Sequence, residues 1–181
     1  MKRIYALLTS AALLLSCSGG YLPDIGSGTG AVISAYAAGQ ATSGECGAEG
    51  SNVTWELKDG VLTISGTGAI KDYHSVFSEY SPWYKSEEIK SIIIGEGVTK
   101  IGASAFKSIK NLESVVIPAS MTEMAFSNAF ESCFALNNIE VAADNPEYAS
   151  RDGVLFSKDM TNLICYPREK EGTAYVIPDS V

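Results

Sequence analysis

From residue 89 onward the chain repeats itself. Ile89-Lys90-Ser91-Ile92-Ile93-Ile94 returns 23 residues later as Leu112-Glu113-Ser114-Val115-Val116-Ile117. Val98 and Ile101 return as Met121 and Met124, and Ala105-Phe106 returns as Ala129-Phe130 after one extra residue. A third copy opens at Leu136, with Ile139 and Val141 in the strand positions. It then leaves the pattern at Asp144-Asn145-Pro146 for a longer stretch containing Asp152-Gly153-Val154-Leu155-Phe156. A fourth strand is expected over Tyr175-Val176-Ile177-Pro178. A fixed period in the twenties is the mark of a solenoid with a strand in every turn.

The apolar positions within one copy explain why the copies must stack. Ile89, Ile92 and Ile94 point inward from the strand, Val98 and Ile101 follow a turn, and Ala105 with Phe106 closes the far side. A single copy buries too little to offset the ordering of its backbone, so it folds only against neighbours that pair its strand and cover its faces. The alternate strand residues point away from the core and form the candidate partner-binding face. They are Ser91 and Ile93, Ser114 and Val116, Asn138 and Glu140, and Ala174 and Val176. A column of small polar side chains thus lies beside a mainly apolar one, and stacked repeats make such a face an extended platform. Strand propensity alone would also put β-branched residues there, so the sequence leaves both readings open.

Residues 46–88 are expected to form a β-rich N-terminal cap. Val53, Trp55 and Leu57 alternate with Thr54 and Glu56, and Leu62 and Ile64 alternate with Val61, Thr63 and Ser65. Two period-2 runs around Lys58-Asp59-Gly60 predict a β-hairpin. Ser81 can cap, and Pro82 can open, a short helix through Trp83, Tyr84, Glu87 and Glu88. Asn52-Val53-Thr54 has the pattern of a glycosylation site but reads as coincidental behind a bacterial-looking leader. Residues 17–45 are rich in Gly, Ser, Ala and Thr, with Asp24 and Glu45 as their only charged side chains, and read as a flexible tether. Gly26-Ser27-Gly28-Thr29-Gly30 within it lacks the preceding strand and the spacing of a phosphate loop.

Residues 1–16 read as a signal peptide. Lys2 and Arg3 precede an apolar run from Ile4 to Leu15 that only Thr9 and Ser10 interrupt. A run this short does not span a bilayer as a helix, which takes about 20 residues. Leu14-Leu15-Ser16-Cys17 resembles the bacterial lipoprotein signal and makes Cys17 the candidate lipid attachment site, although leucine two residues before the cysteine is atypical. Ala35-Tyr36-Ala37 is the alternative, an ordinary signal-peptidase site, in which case Cys17 is discarded with the leader. Either route puts the protein outside the cytoplasm, at the cell surface or secreted.

Charge and residue usage exclude several functions. The chain has 13 Lys+Arg against 21 Asp+Glu, a net charge of −8. Nucleic acid is therefore no expected partner, since its binding rests on Lys and Arg. The membrane is a partner only through a lipid on Cys17. The single histidine, His74, cannot build a multi-histidine metal site. Cys46, Cys133 and Cys165 are odd in number, so disulfides are not the main staple. Cys133 takes the place of Ile109 in the preceding copy, which points to packing rather than catalysis. Asp144, Glu147, Asp152, Asp159, Glu169 and Glu171 fall in turns of the divergent copy and read as a solvated face. Asp144 and Glu147 lack the ligand density of a calcium loop. No cofactor and no enzymatic activity are expected.

The strings themselves resemble the BspA-type leucine-rich repeat family of bacterial surface proteins. Leu112-Glu113-Ser114-Val115-Val116-Ile117-Pro118, Gly97-Val98-Thr99-Lys100-Ile101-Gly102 and Ala129-Phe130-Glu131-Ser132-Cys133 are similar to the three parts of that repeat. Cys46-Gly47, Val53-Thr54-Trp55, Leu62-Thr63-Ile64-Ser65-Gly66-Thr67-Gly68-Ala69 and Ser81-Pro82-Trp83-Tyr84 are similar to the module that opens such proteins. The resemblance implies a β-rich fold with short helices, in which a leucine-rich-repeat solenoid with one strand per repeat, over 89–181, follows the hairpin cap. It also implies recognition of, or adhesion to, a protein ligand. A structural spacer, or the non-catalytic arm of a larger secreted protein such as a hydrolase, is the alternative. The last repeat is incomplete, so a longer product and an open strand edge at its end are expected.

Overall fold

The computed structural model describes residues 42–74, 79–125, 129–172 and 174–181. All of them belong to the compact unit Gly39–Val181. The predicted leader, Cys17 and the tether up to residue 41 lie outside the described residues.

The amino-terminal part supplies four strands, β1 (Ser43–Gly47), β2 (Gly50–Lys58), β3 (Val61–Gly66) and the two-residue β4 (Gly68–Ala69). Strands β2 and β3 form the predicted hairpin, with Lys58 opposite Val61. Asp59 and Gly60 turn it with φ of 51° and 79°. Two successive positive φ values match the twist of the flanking strands, and Asp-Gly tolerates them. Strand β1 adds antiparallel to β2.

The repeats follow as β5 (Ser91–Ile94), β6 (Val98–Ile101), β7 (Ser114–Ile117), β8 (Glu123–Met124) and β9 (Asn138–Val141). Strands β3, β5, β7 and β9 pair in parallel, which gives a six-stranded sheet of order β1-β2-β3-β5-β7-β9. Leu62, Ile92, Val115 and Ile139 lie in one register row, and all four are fully buried. All seven inward positions predicted for the first repeat are buried.

Two expectations about the repeat and the helices are corrected. The repeat carries two strands, because β4, β6 and β8 form a second parallel ladder. In β6 the burial runs buried, intermediate, intermediate, buried, so no period-2 pattern marks it as a strand. The short helices are absent among the described residues. Tyr84 N–H reaches Ser81 C=O at 3.0 Å and Ser86 N–H reaches Trp83 C=O at 3.0 Å, but Lys85 lies at φ 60° between them. A left-handed residue stops helix propagation. Ser104, Ser108 and Ser132 do the same on the far side of later repeats, with φ of 54°, 61° and 61°. That side packs instead as an aromatic ladder. Trp83, Phe106 and Phe130 stack with centroids 5.7 and 5.8 Å apart, and the Trp83 indole donates to Ala105 C=O at 2.7 Å.

After β9 the chain forms an antiparallel sheet of β10 (Tyr148–Arg151), β11 (Val154–Ser157) and β12 (Leu163–Cys165). Asp152 and Gly153, at φ of 53° and 78°, repeat the turn chemistry of Asp59-Gly60. This segment covers the outer side of β9. Ile139 N–H donates to Gly153 C=O at 2.9 Å, and Val141 N–H donates to Ser150 Oγ at 3.0 Å. The outer edge of β9 is therefore covered. The expected fourth strand is also absent, since residues 174–178 pair with no strand. The β10–β11 turn already takes the donors that such a strand would need. Ile177 is 54% exposed, whereas its counterparts Ile94 and Ile117 are 2% and 0% exposed.

Candidate functional site

The predicted face is built by the parallel register of the six-stranded sheet. Because side chains alternate along a strand, burial of Ile92 and Ile94 turns Ser91 and Ile93 outward. In-register pairing then stacks these outward residues into rows. One row runs Val61, Ser91, Ser114, Asn138, and the next runs Thr63, Ile93, Val116, Glu140. Ile93 is 43% exposed and Val116 38%, an apolar pair on open surface. Ser91 Oγ and Ser114 Oγ hydrogen-bond at 2.8 Å, and Asn138 Nδ2 donates to Glu140 Oε1 at 3.0 Å. The serine pair links neighbouring strands β5 and β7, a contact of the kind that stabilises a sheet face, whereas the Asn138–Glu140 bond lies within β9.

Six of the eight predicted residues thus come together, and two do not. Ala174 and Val176 lie outside the sheet, where Val176 is 81% exposed. The face gains residues in the other direction, across the hairpin. Lys58 pairs with Val61, and Glu56 pairs with Thr63 on one side and Ser43 on the other. The apolar row therefore extends as Ser43, Glu56, Thr63, Ile93, Val116, Glu140. The signal was already in the alternation of β2 and β3, which turns Thr54, Glu56, Thr63 and Ser65 to the side opposite the core. At a strand spacing of about 4.8 Å, Glu56 and Glu140 stand roughly 19 Å apart on either side of Ile93 and Val116. A shallow recess of about 510 Å³ over β1–β3 continues the face, lined by Ser43, Thr54, Thr63 and Ser65 hydroxyls with Glu45 and Glu56.

The thiols are tuned away from nucleophilic chemistry. Burial pushes Cys46 up to about 12 and Cys133 up to about 11. Burial raises Cys165 as well. An activated thiol shifts the opposite way. Cys133 instead donates from Sγ to Phe106 C=O at 3.0 Å, inside the core. Asp159 is held below the usual carboxylate range by hydrogen bonds from the Ser157 hydroxyl and from the amide and hydroxyl of Thr161, a turn-stabilising role. His74 is exposed and joins Glu79 through paired backbone hydrogen bonds of 3.0 and 3.1 Å. Among the described residues, no three His, Cys, Asp or Glu side chains converge as a metal site, and no helix is long and apolar enough to cross a membrane.

Comparison with known proteins identifies the repeated segment. Residues 79–162 match the BspA type leucine rich repeat region, in six copies. Among solved structures, the chain is similar to a leucine-rich repeat protein from Eubacterium ventriosum, with 26% identity and a TM-score of 0.37 over 72% of this chain and 53% of that one. It is similar to the pneumococcal vaccine antigen PcpA, with 17% identity and a TM-score of 0.40 over 71% of this chain and 58% of that one. It is also similar to a leucine rich cell surface protein from Faecalibacterium prausnitzii, with 18% identity and a TM-score of 0.37 over 72% and 64% of the two chains. The chain thus spans 53% to 64% of the length of these structures. No curated protein gives a significant match.

Proposed function

We propose, from the premise that residues 79–162 are BspA-type leucine-rich repeats, that this chain is an extracytoplasmic bacterial surface protein that recognises a protein partner. Contact is made through the outward face of the six-stranded sheet. The observation that carries the reading is the in-register row Thr63–Ile93–Val116–Glu140, in which an exposed apolar pair is aligned across neighbouring repeats. A flat apolar centre with a polar rim is the anatomy of a recognition surface. Repetition of the face lets several weak contacts add through effective concentration, which suits adhesion. The leader at residues 1–16 supports export, and Cys17 supplies the lipid anchor in this reading.

The test compares wild-type protein with the Ile93→Asp/Val116→Asp variant, both immobilised and exposed to solubilised surface proteins. Two buried-on-binding charges cost at least tenfold in affinity, so the wild type retains a discrete partner and the variant loses it with unchanged circular dichroism. Equal capture by both proteins, or capture by neither, overturns the reading. The second result is what a structural spacer would give.

A further inference from the structure

A second surface lies on the opposite ladder, away from the face just described. Among the described residues the second ladder ends at β8, and a groove of about 730 Å³ opens between β8 and the β10–β12 sheet. Its floor is apolar, from Met124, Leu163 and Ile164, and two carboxylates, Glu123 and Glu147, stand at its sides. Tyr148 fills the inner wall and is 4% exposed. Its hydroxyl lies 3.5 Å from Thr122 C=O and is hydrogen-bonded by the Met124 backbone amide. One phenol thus takes both backbone groups that an added strand would need, so the groove does not extend the sheet. It is shaped for a side chain.

The charge of the groove selects which side chain. Glu123 and Glu147 both line the groove beside Tyr148, and burial, then the charges of Glu147 and Glu123, raise the Tyr148 hydroxyl above its ordinary value. The cations around them are only partly engaged with them. Lys100 Nζ stands 4.0 Å from Glu123, and Lys158 Nζ is turned to Ala143 C=O at 2.9 Å. A hard metal ion would require a shell of oxygens, which the apolar floor does not supply. A long cationic side chain meets both demands, since its methylene stem covers apolar surface while its head stays with the carboxylates. A guanidinium also has enough donors in a planar fork to serve two carboxylates at once.

We propose that this groove receives an arginine side chain from a protein partner, with its stem on Met124, Leu163 and Ile164 and its guanidinium between Glu123 and Glu147. The site is separate from the outward face of the six-stranded sheet and does not depend on it.

The probe is the peptide acetyl-Ala-Arg-Ala-amide, titrated into the full chain with methyl resonances of Met124, Leu163 and Ile164 as readout. Its control replaces arginine with citrulline, which keeps the shape and removes the charge. The arginine peptide is expected to shift those methyl groups and to bind about tenfold tighter than the citrulline peptide. Glu123→Gln/Glu147→Gln should erase that difference while the rest of the spectrum stays folded. The proposal fails if the arginine peptide moves none of these methyl groups. It fails equally if citrulline binds as well as arginine, or if the double variant keeps the preference.

Discussion

The repeats at residues 89–141 and the segment at 142–167 end their hydrogen-bond ladders in different ways. In the repeats each strand finds its partner one period away, as Ser91 finds Ser114 and Ser114 finds Asn138. The partner is backbone, so the pairing is indifferent to side-chain identity as long as the inward residues are apolar. In the later segment individual groups stand in for the next strand. Ser150 Oγ and Gly153 C=O accept from β9, and the Tyr148 hydroxyl sits on β8. Asn145, fully buried, donates to Pro118 C=O at 2.7 Å and Met121 C=O at 2.8 Å and accepts from the amides of Glu147 and Tyr148 at 2.9 and 2.7 Å. A period can be propagated by volume, whereas stopping it takes polar atoms at defined places.

Substitutions should separate the two regimes. Phe106→Ala removes the middle of the aromatic ladder and is expected to cost about 3–5 kcal/mol in a denaturant titration. A cost near 1 would mean the repeats are not held by volume. Asn145→Ala strips four hydrogen bonds, among them those to Met121 C=O and to the amides of Glu147 and Tyr148, with an expected loss of roughly 3 kcal/mol. If it proves neutral, the segment is not anchored through that amide. One further pair sharpens the contrast, because the chemical change is the same in both regions. Ser150→Ala removes the acceptor of a β9 amide and should cost about 1 kcal/mol. Ser91→Ala removes a half-buried pairing between two hydroxyls and no partner of the backbone, and should stay within about 0.5 kcal/mol. Equal costs would erase the distinction.

The same contrast explains what could be read from the sequence. Ile89, Ile92, Ile94, Val98, Ile101, Ala105 and Phe106 were legible as core because their spacing recurs, and burial follows it. The hairpin at Asp59-Gly60 was legible because alternation and turn chemistry agreed. Strand β6 was not, because Val98 and Ile101 are three apart and fit no alternation. The helix expected after Pro82 was lost to Lys85, whose positive φ has no signature in a lysine. Asn145 looked like a turn residue, and nothing local reveals that its amide reaches back to carbonyls 24 and 27 residues earlier. On the outward face, the exposure of Ile93 and Val116 followed from period alone. Ala174 and Val176 failed because the strand position they required is occupied by the β10–β11 turn. Glu56 and Thr63 carry no signal of this kind, because the hairpin that holds them lies outside the repeat period although its strand β3 pairs with β5.

The outward face of the six-stranded sheet reaches Glu140 only if β9 is held on both sides. Amide hydrogen exchange of the full chain tests this directly, read at Ile139 and Val141. Their acceptors are Gly153 C=O and Ser150 Oγ, so both amides should be protected to the level of β7, and Ser150→Ala should release Val141 while leaving Ile139 slow. Fast exchange at both positions in the wild type would mean that β9 is an open edge, and would contradict the closure on which the length of the face depends.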